Sequence, residues 1–200
     1  MPWAPDYLTL AAAKAYLRVT DTADDAEIQV WVTAASRAVD RYCNRQFGSL
    51  SVAAARTYRR APVYDPSLGL WCYEIDDLQD VTGFLVNGVA YASSGAVLLP
   101  DNAPADGVPW TRLGVAAAPA LPYPGSPVAN VLTGRWGWTA PPAQVGAATR
   151  LQVSRWHFRR DAPSGVAGSP ESGSELRLLA RLDPDVKTSL IGLQRRRMVA

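Results

Sequence analysis

One histidine, two cysteines and two lysines are all that these 200 residues hold of three residue types on which much site chemistry depends. With His157 alone, histidine-based catalytic dyads reduce to a single candidate and clusters of histidine ligands are excluded. Cys43 and Cys72 are too few and too far apart for a disulfide framework or a cysteine-based zinc site, so both are expected as free, partly buried thiols. No apolar run approaches the roughly 20 residues that a membrane helix needs, which argues against a membrane partner. The opening "MPWAPDYLTL" lacks the basic-then-apolar pattern of a signal peptide, so the sequence reads as cytosolic in origin. The shortage of lysine gives arginine 18 of the 20 basic positions, while the net charge is only +2. That balance does not by itself argue for nucleic acid. Arginine's planar fork instead suits carboxylate pairing, aromatic stacking and interfaces.

What is present describes a folded chain. The hydrophobic fraction is 48% against 19% charged, with seven Trp and eight Tyr, and the length fits one domain or one domain with an insertion. Periodicity predicts an α+β fold. The helices of 1–50 and 140–200 pack as a small bundle, and 55–138 forms an inserted antiparallel β domain. Thr9 is placed to cap a helix over "LAAAKAYLRV". A longer helix is expected from about Ala23 to Arg45, capped by Thr22, with Asp24, Asp25 and Glu27 in its first turn where the helix dipole favours them. On that helix Ile28, Trp31, Val32, Ala35, Val39, Tyr42 and Cys43 fall within a face about 120° wide. In the middle region short β-branched and aromatic runs alternate with Pro, Gly, Asn and Asp, as in a small antiparallel sheet or a sandwich. Asn87-Gly88 marks a two-residue hairpin.

After Pro141-Pro142 a helix is expected to about Arg160, with two apolar stripes. Val145, Ala148 and Trp156 lie on one side, Ala147, Leu151 and Phe158 on the other, as in a helix sandwiched between its own core and a neighbour. Residues 161–175 read as a flexible Gly/Ser/Pro loop, with Ser172 and Glu175 placed as a capping box for a helix over "ELRLLARL". Asp183-Pro184 starts another helix, and 193–200 is a basic tail.

Four features compete for a functional role. "GSPESGSE" (168–175) has nearly the glycine spacing of a phosphate loop. However, Ser174 and Glu175 stand where that loop needs Lys and Ser or Thr, and a helix rather than a strand precedes it, so no nucleotide cofactor is expected. Glu74, Asp76, Asp77 and Asp80 lack the alternating ligands of a calcium loop and read as a solvated strand end or an Arg-facing interface. Arg37, Arg41 and Arg45 repeat every four residues away from the core. They form a solvated face paired to Asp40, a docking surface for an acidic neighbour, or a DNA contact. Arg195, Arg196 and Arg197 are either a frayed solvated tail or a segment that orders on a partner. His157 between Trp156 and Phe158 reads as a packed or surface histidine. No nucleophile, base or metal constellation is assembled anywhere, so the chain is expected to be no enzyme.

Two longer stretches carry a resemblance. "YLTLAAAKAYLRVTDTADDAEIQVWVTAASRAVDRYCNRQFG" resembles the opening of head–tail connector (adaptor) proteins of long-tailed, siphovirus-type bacteriophages. "RWGW", "ATRLQVSR" and the block "FRRDAPSGVAGSPESGSELRLLARLDPDV" resemble the version found in phages and prophages of actinobacteria. Together they cover about half of the 200 residues. The resemblance implies a ring, dodecameric in that family, fastened beneath the portal, with a channel for genomic double-stranded DNA and a far side for stopper and tail proteins. It implies no catalytic residue, metal or cofactor. The expected portal or subunit contacts are Arg37, Arg41, Arg45, Trp156, Arg159, Arg160, Ser164, Gly165, Gly168, Ser169, Gly173, Arg195, Arg196 and Arg197. The segments Asp161–Glu175 and Leu193–Ala200 are expected to bear on the portal. The rival reading is a nucleic-acid-binding accessory of DNA packaging that uses Arg37, Arg41, Arg45 and Arg195 to Arg197.

Overall fold

The computed structural model describes residues 4–117, 129–160, 166–167, 176–177 and 182–195. Its helices are α1 (Leu10–Leu17), α2 (Asp25–Cys43), α3 (Ala143–Arg160) and α4 (Pro184–Ser189). Its strands are β1 (Ala54–Tyr58), β2 (Val63–Asp65), β3 (Leu70–Val86), β4 (Val89–Ala90), β5 (Val97–Leu99), β6 (Trp110–Val115), β7 (Asn130–Trp136), β8 (Val166–Ala167) and β9 (Leu176–Arg177). The α+β class expected from the sequence is the one observed. The chain divides into two compact units, one from the described parts of Met1–Phe47 and Pro141–Met198, the other from those of Gly48–Ala140.

In the helical unit α2 packs on α3, α3 on α4, and α1 on both α2 and α3. Thr9 caps α1, its hydroxyl accepting from the Ala12 amide at 3.2 Å, and Arg18 ends the helix in the left-handed region at φ 60°. The start expected for α2 is corrected: Asp24, not Thr22, is the cap residue, and its side chain makes no capping bond. One local and one long-range contact accompany this start. The Asp21 carboxylate holds the Ala23 amide in a turn of its own, and Asp24 is drawn to Arg160. The buried side of α2 is Ile28, Val32, Ala35, Ser36, Ala38, Val39 and Cys43. It meets Val145, Ala148, Thr149, Gln152 and Val153 on the buried side of α3. The buried Ser36 and Thr149 hydroxyls donate back to the Val32 and Val145 carbonyls, so neither is left unsatisfied. Along the second stripe of α3, Ala147 is exposed and Phe158 is 68% exposed, with Leu151 half-buried.

Asp183 caps α4 by accepting from the Asp185 amide at 2.8 Å, with Pro184 at the first helical position. The Asp183 amide itself donates to the buried Gln152 side chain at 3.2 Å, tying α4 to α3. Two details differ from expectation at the described residues between these helices. Val166–Ala167, within the expected loop, pairs antiparallel with Leu176–Arg177, and Leu176–Arg177 is a strand where the first turn of a capped helix was expected; the rest of that loop and of that helix lies outside the described residues. The pairing of Val166 with Arg177 and of Ala167 with Leu176 satisfies backbone groups of both segments.

The second unit is one antiparallel sheet in the order β1-β7-β3-β6-β5, with β2 and β4 also paired to β3. The 17-residue β3 organises it, pairing with β2 and β6 along its first half and with β7 and β4 along its second. Register shifts between Glu74 and Leu78 and between Asp80 and Leu85 let one strand serve both neighbours. The hairpin at Asn87-Gly88 forms as expected. Both residues have positive φ, 51° and 81°, and Val86 faces Val89 across the turn. The core is Tyr73, Ile75, Leu78, Phe84, Leu98, Leu113, Leu132 and Trp136. Gly134 must be glycine here, since a Cβ would stand 2.8 Å from both Leu78 Cδ1 and Phe84 Cδ2.

Candidate assembly interface

The start of α2 and the end of α3 leave an open groove of about 460 Å³. Glu27, Trp31 and Ala34 recur one and two turns apart and supply one wall, while Trp156, Arg159 and Arg160 on the last turn of α3 supply the other. Both indoles are half-buried. Trp31 meets the His157 ring edge-on at 5.5 Å, and His157 in turn meets Phe158 at 5.7 Å. His157 is therefore a packing residue, with its Nδ1 buried and unbonded. Arg160 clamps the two helices, pairing with Asp24 at 3.0 Å and with Glu27 at 3.4 Å. An apolar cleft rimmed by arginine suits contact with another protein surface, where Trp and Arg dominate the energy. Of the residues expected at an interface, this groove gathers Trp156, Arg159 and Arg160. Glu27, Trp31 and Ala34 were missed, although their i, i+4, i+7 spacing along the margin of the α2 core face is legible in the sequence.

The arginine stripe of α2 is not a free surface. Residues 5–8 run over that side of the helix. The Tyr7 amide donates to Ser36 Oγ at 3.1 Å, and Asp6 accepts from Gln29 Nε2 and Thr33 Oγ1, each at 3.0 Å. Arg37 donates to the Pro5 carbonyl, pairs with Asp40 at 3.2 Å and lies 5.8 Å from the Tyr7 ring centre. Arg45 stands 5.9 Å from the Phe47 ring centre and donates to the Leu193 carbonyl at 3.4 Å. Of the three, Arg41 is the exposed one. The Tyr7 hydroxyl donates to Asp40 and accepts from the Phe47 amide at 2.9 Å. Burial first, then the hydrogen bond to Asp40, pushes the Tyr7 hydroxyl well above its usual range. Burial also raises Asp40, outweighing the Tyr7 hydrogen bond and the nearby Arg37 and Arg41.

The acidic run of β3 lies within a strand rather than at its end, and it faces arginines of its own sheet. Arg60 pairs with Glu74 at 3.5 Å, Arg56 with Asp76 at 2.9 Å and Arg135 with Asp80 at 2.8 Å. Asp77 is buried and accepts from Trp138 Nε1 at 3.0 Å. Beside them Arg112 pairs with Asp65 at 3.1 Å. Burial pushes Asp80 up, but hydrogen bonds from Arg135 and Thr82 win and hold it below the usual carboxylate range. The Ser67 hydroxyl, ahead of Arg112, does the same for the half-buried Asp65.

Ser164, Gly165, Gly168, Ser169, Gly173, Arg196 and Arg197 lie outside the described residues. Arg195 lies within them and is no frayed end: its amide donates to the Cys43 carbonyl at 2.8 Å. Cys43 and Cys72 are free and buried, and burial pushes the Cys43 thiol up to about 11. Among the described residues no three His, Cys, Asp or Glu side chains group to hold a metal, and no helix is long and apolar enough to cross a membrane.

No protein-family model matches the sequence, and no curated protein matches it. Among solved structures, the chain is similar over 100% of its length to one described as "Neck of empty GTA particle computed with C6 symmetry", covering 95% of that chain at 18% identity with a TM-score of 0.58. At that identity the likeness establishes a shared fold, helices and sheet together, with a chain of a particle neck.

Proposed function

We propose that this chain is a structural head–tail adaptor of a tailed phage or phage-like particle. In this reading it forms a ring beneath the portal, joins capsid to stopper and tail, and lets genomic DNA pass without reading its sequence. The observation that carries the proposal is the fold shared from end to end with a chain of the neck of a GTA particle. The groove and the exposed Phe158 side of α3 supply surfaces of the kind a ring of identical subunits buries. A neck with C6 symmetry accommodates the twelve copies that the sequence resemblance implies. No catalytic or cofactor role enters the reading. Engagement of Arg37 and Arg45 within the fold, and the carboxylate partners of Arg56, Arg60, Arg112 and Arg135, weigh against a nucleic-acid-binding accessory that grips phosphate. Residues 161–175 are assigned to the portal side.

Cryo-electron microscopy of purified particles tests this directly. The expected result is a ring of this chain at the capsid vertex, between portal and tail. Particles whose vertex lacks the chain overturn the reading. So does DNA binding by the isolated protein that falls steeply with salt.

A further inference from the structure

Helices α2 and α3 each carry a second, uncovered face, and the two faces are complementary. On α3, Ala147, Leu151, Ser154 and Phe158 recur at i, i+4, i+7 and i+11, so they fall within about 60° of the helix circumference. Ala147 and Phe158 are exposed, Leu151 and Ser154 half-buried. On α2, Ala26, Val30 and Thr33 make a stripe of the same kind, all exposed, with Val30 at 64%. Each stripe points away from the buried side of its own helix, and those buried sides meet each other. The two stripes therefore look out from opposite sides of the α2–α3 pair.

Charge distinguishes them. Arg150 is exposed at the edge of the α3 stripe, and among the described residues no carboxylate pairs with it. The other α3 cations nearby are paired, Arg155 with Asp183 and Arg160 with Asp24 and Glu27. Asp6 is exposed at the edge of the α2 stripe, where it accepts from Gln29 Nε2 and Thr33 Oγ1. Both donors are neutral, and among the described residues no cation pairs with Asp6. Arg37, further along α2, pairs with Asp40. Two copies joined through like faces would bring like charges together, whereas unlike faces bring Arg150 to Asp6.

We propose that the Ala147–Phe158 face of α3 packs on the Ala26–Thr33 face of α2 in a second copy of this chain. With the two helices antiparallel and Leu151 over Val30, Arg150 comes level with the turn between Gln29 and Thr33, on the edge that Asp6 occupies. The same alignment sets the Phe158 ring toward Ala23 and Ala26, whose small side chains leave room for it. The apolar contact supplies the affinity. The Arg150–Asp6 pair at its rim fixes register and partner more than it stabilises. Because the two faces differ and lie on opposite sides of one unit, the contact is head-to-tail and repeats from copy to copy until a rotation closes it. The inference rests on the ring reading and deepens it by assigning both sides of the subunit contact.

Disulfide trapping in purified particles tests the contact. Val30→Cys and Leu151→Cys put one thiol on each face, while the native Cys43 and Cys72 are buried. Under a mild oxidant, the double variant is expected to give a ladder of covalent trimers and higher species, and each single variant to stay monomeric. Dimers from either single variant mean that like faces meet, and they overturn the inference. So does a double variant that gives no ladder, or one that cross-links to another particle protein instead. A second arm reads the charges. Arg150→Glu should cut incorporation of the chain into particles at least several-fold at low salt. Adding Asp6→Lys should restore most of that loss, since the pair forms again with its signs exchanged. Normal incorporation of the Arg150→Glu variant, or a loss that Asp6→Lys does not recover, also overturns the inference. A ring imaged at the vertex without these cross-links sinks this contact alone, whereas a vertex that lacks the chain sinks the ring reading with it.

Discussion

In the sheet unit, seven large side chains close the core around Trp136, and arginines meet carboxylates pairwise. The buried sides of α2 and α3 are lined instead by aliphatic and small residues such as Ile28, Val32, Ala35, Val39, Ala148 and Val153, with no aromatic ring among them, while Trp31 and Trp156 stay half-buried and Phe158 is mostly exposed. The two units thus place their aromatic residues differently, while both pair their charges internally. One closes its largest rings into the core. The other packs its helices with aliphatic and small side chains and keeps two indoles half-buried at a surface, where binding energy is concentrated.

Trp136→Ala tests the sheet half of that contrast hardest. The indole is fully buried, donates to the Ala54 carbonyl at 2.7 Å, carries the Arg56 guanidinium 4.8 Å from its ring centre and meets Phe84 edge-on. Its loss should cost about 3–5 kcal/mol in a denaturant melt. A loss below 1 kcal/mol would mean that this core is not the closed one described. In the helical unit, Tyr7→Phe leaves the Phe47 amide without its acceptor and Asp40 with Arg37 but without the hydroxyl donor, so about 1–3 kcal/mol should disappear. Hydrogen exchange should then rise first in residues 5–8 and in α2.

Acid separates the units by sign. Asp80 is held below the usual range, so its contribution is present above the ordinary carboxylate pKa and is lost as pH falls through its lower folded value. Asp40 is raised, so its folded form takes up a proton before the unfolded one does. Its effect is to add stability as pH falls through that raised value toward the ordinary carboxylate range. Denaturant melts across acidic pH should show Asp80→Asn losing the first dependence and Asp40→Asn the second. Equal slopes in both variants would break the contrast. The smallest expected effect is that of Thr9→Ala, which removes the α1 cap at a cost of about 1 kcal/mol, visible as a loss of helicity before the main transition.

Legibility followed the range of the interactions. The Thr9 cap, the Asp183-Pro184 start and the Asn87-Gly88 hairpin are set by contacts within a few residues, and each is where local chemistry puts it. The start of α2 slipped because Asp24 answers to Arg160, distant in sequence. The arginine stripe stayed open between a solvated face paired to Asp40, a docking surface and a DNA contact, because the pattern within one helix carries no sign that residues 5–8 return to cover it. The groove was half legible: Trp156, Arg159 and Arg160 stood out as residues, but a cleft exists only where two helices meet.

By itself, then, the sequence determined the α+β class, the caps of α1 and α4, the Asn87-Gly88 turn and the scarcity of His, Cys and Lys, because these depend on composition, periodicity and short-range hydrogen bonding. Tertiary structure decided which charges are consumed and which surfaces remain. The carboxylates of β3 are neutralised by arginines on β1 and β7 and by Arg60, whereas Trp31 and Trp156, 125 positions apart in the chain, become two walls of one groove. The physical reason is that pairing and burial depend on distance in space, which long-range packing alone sets.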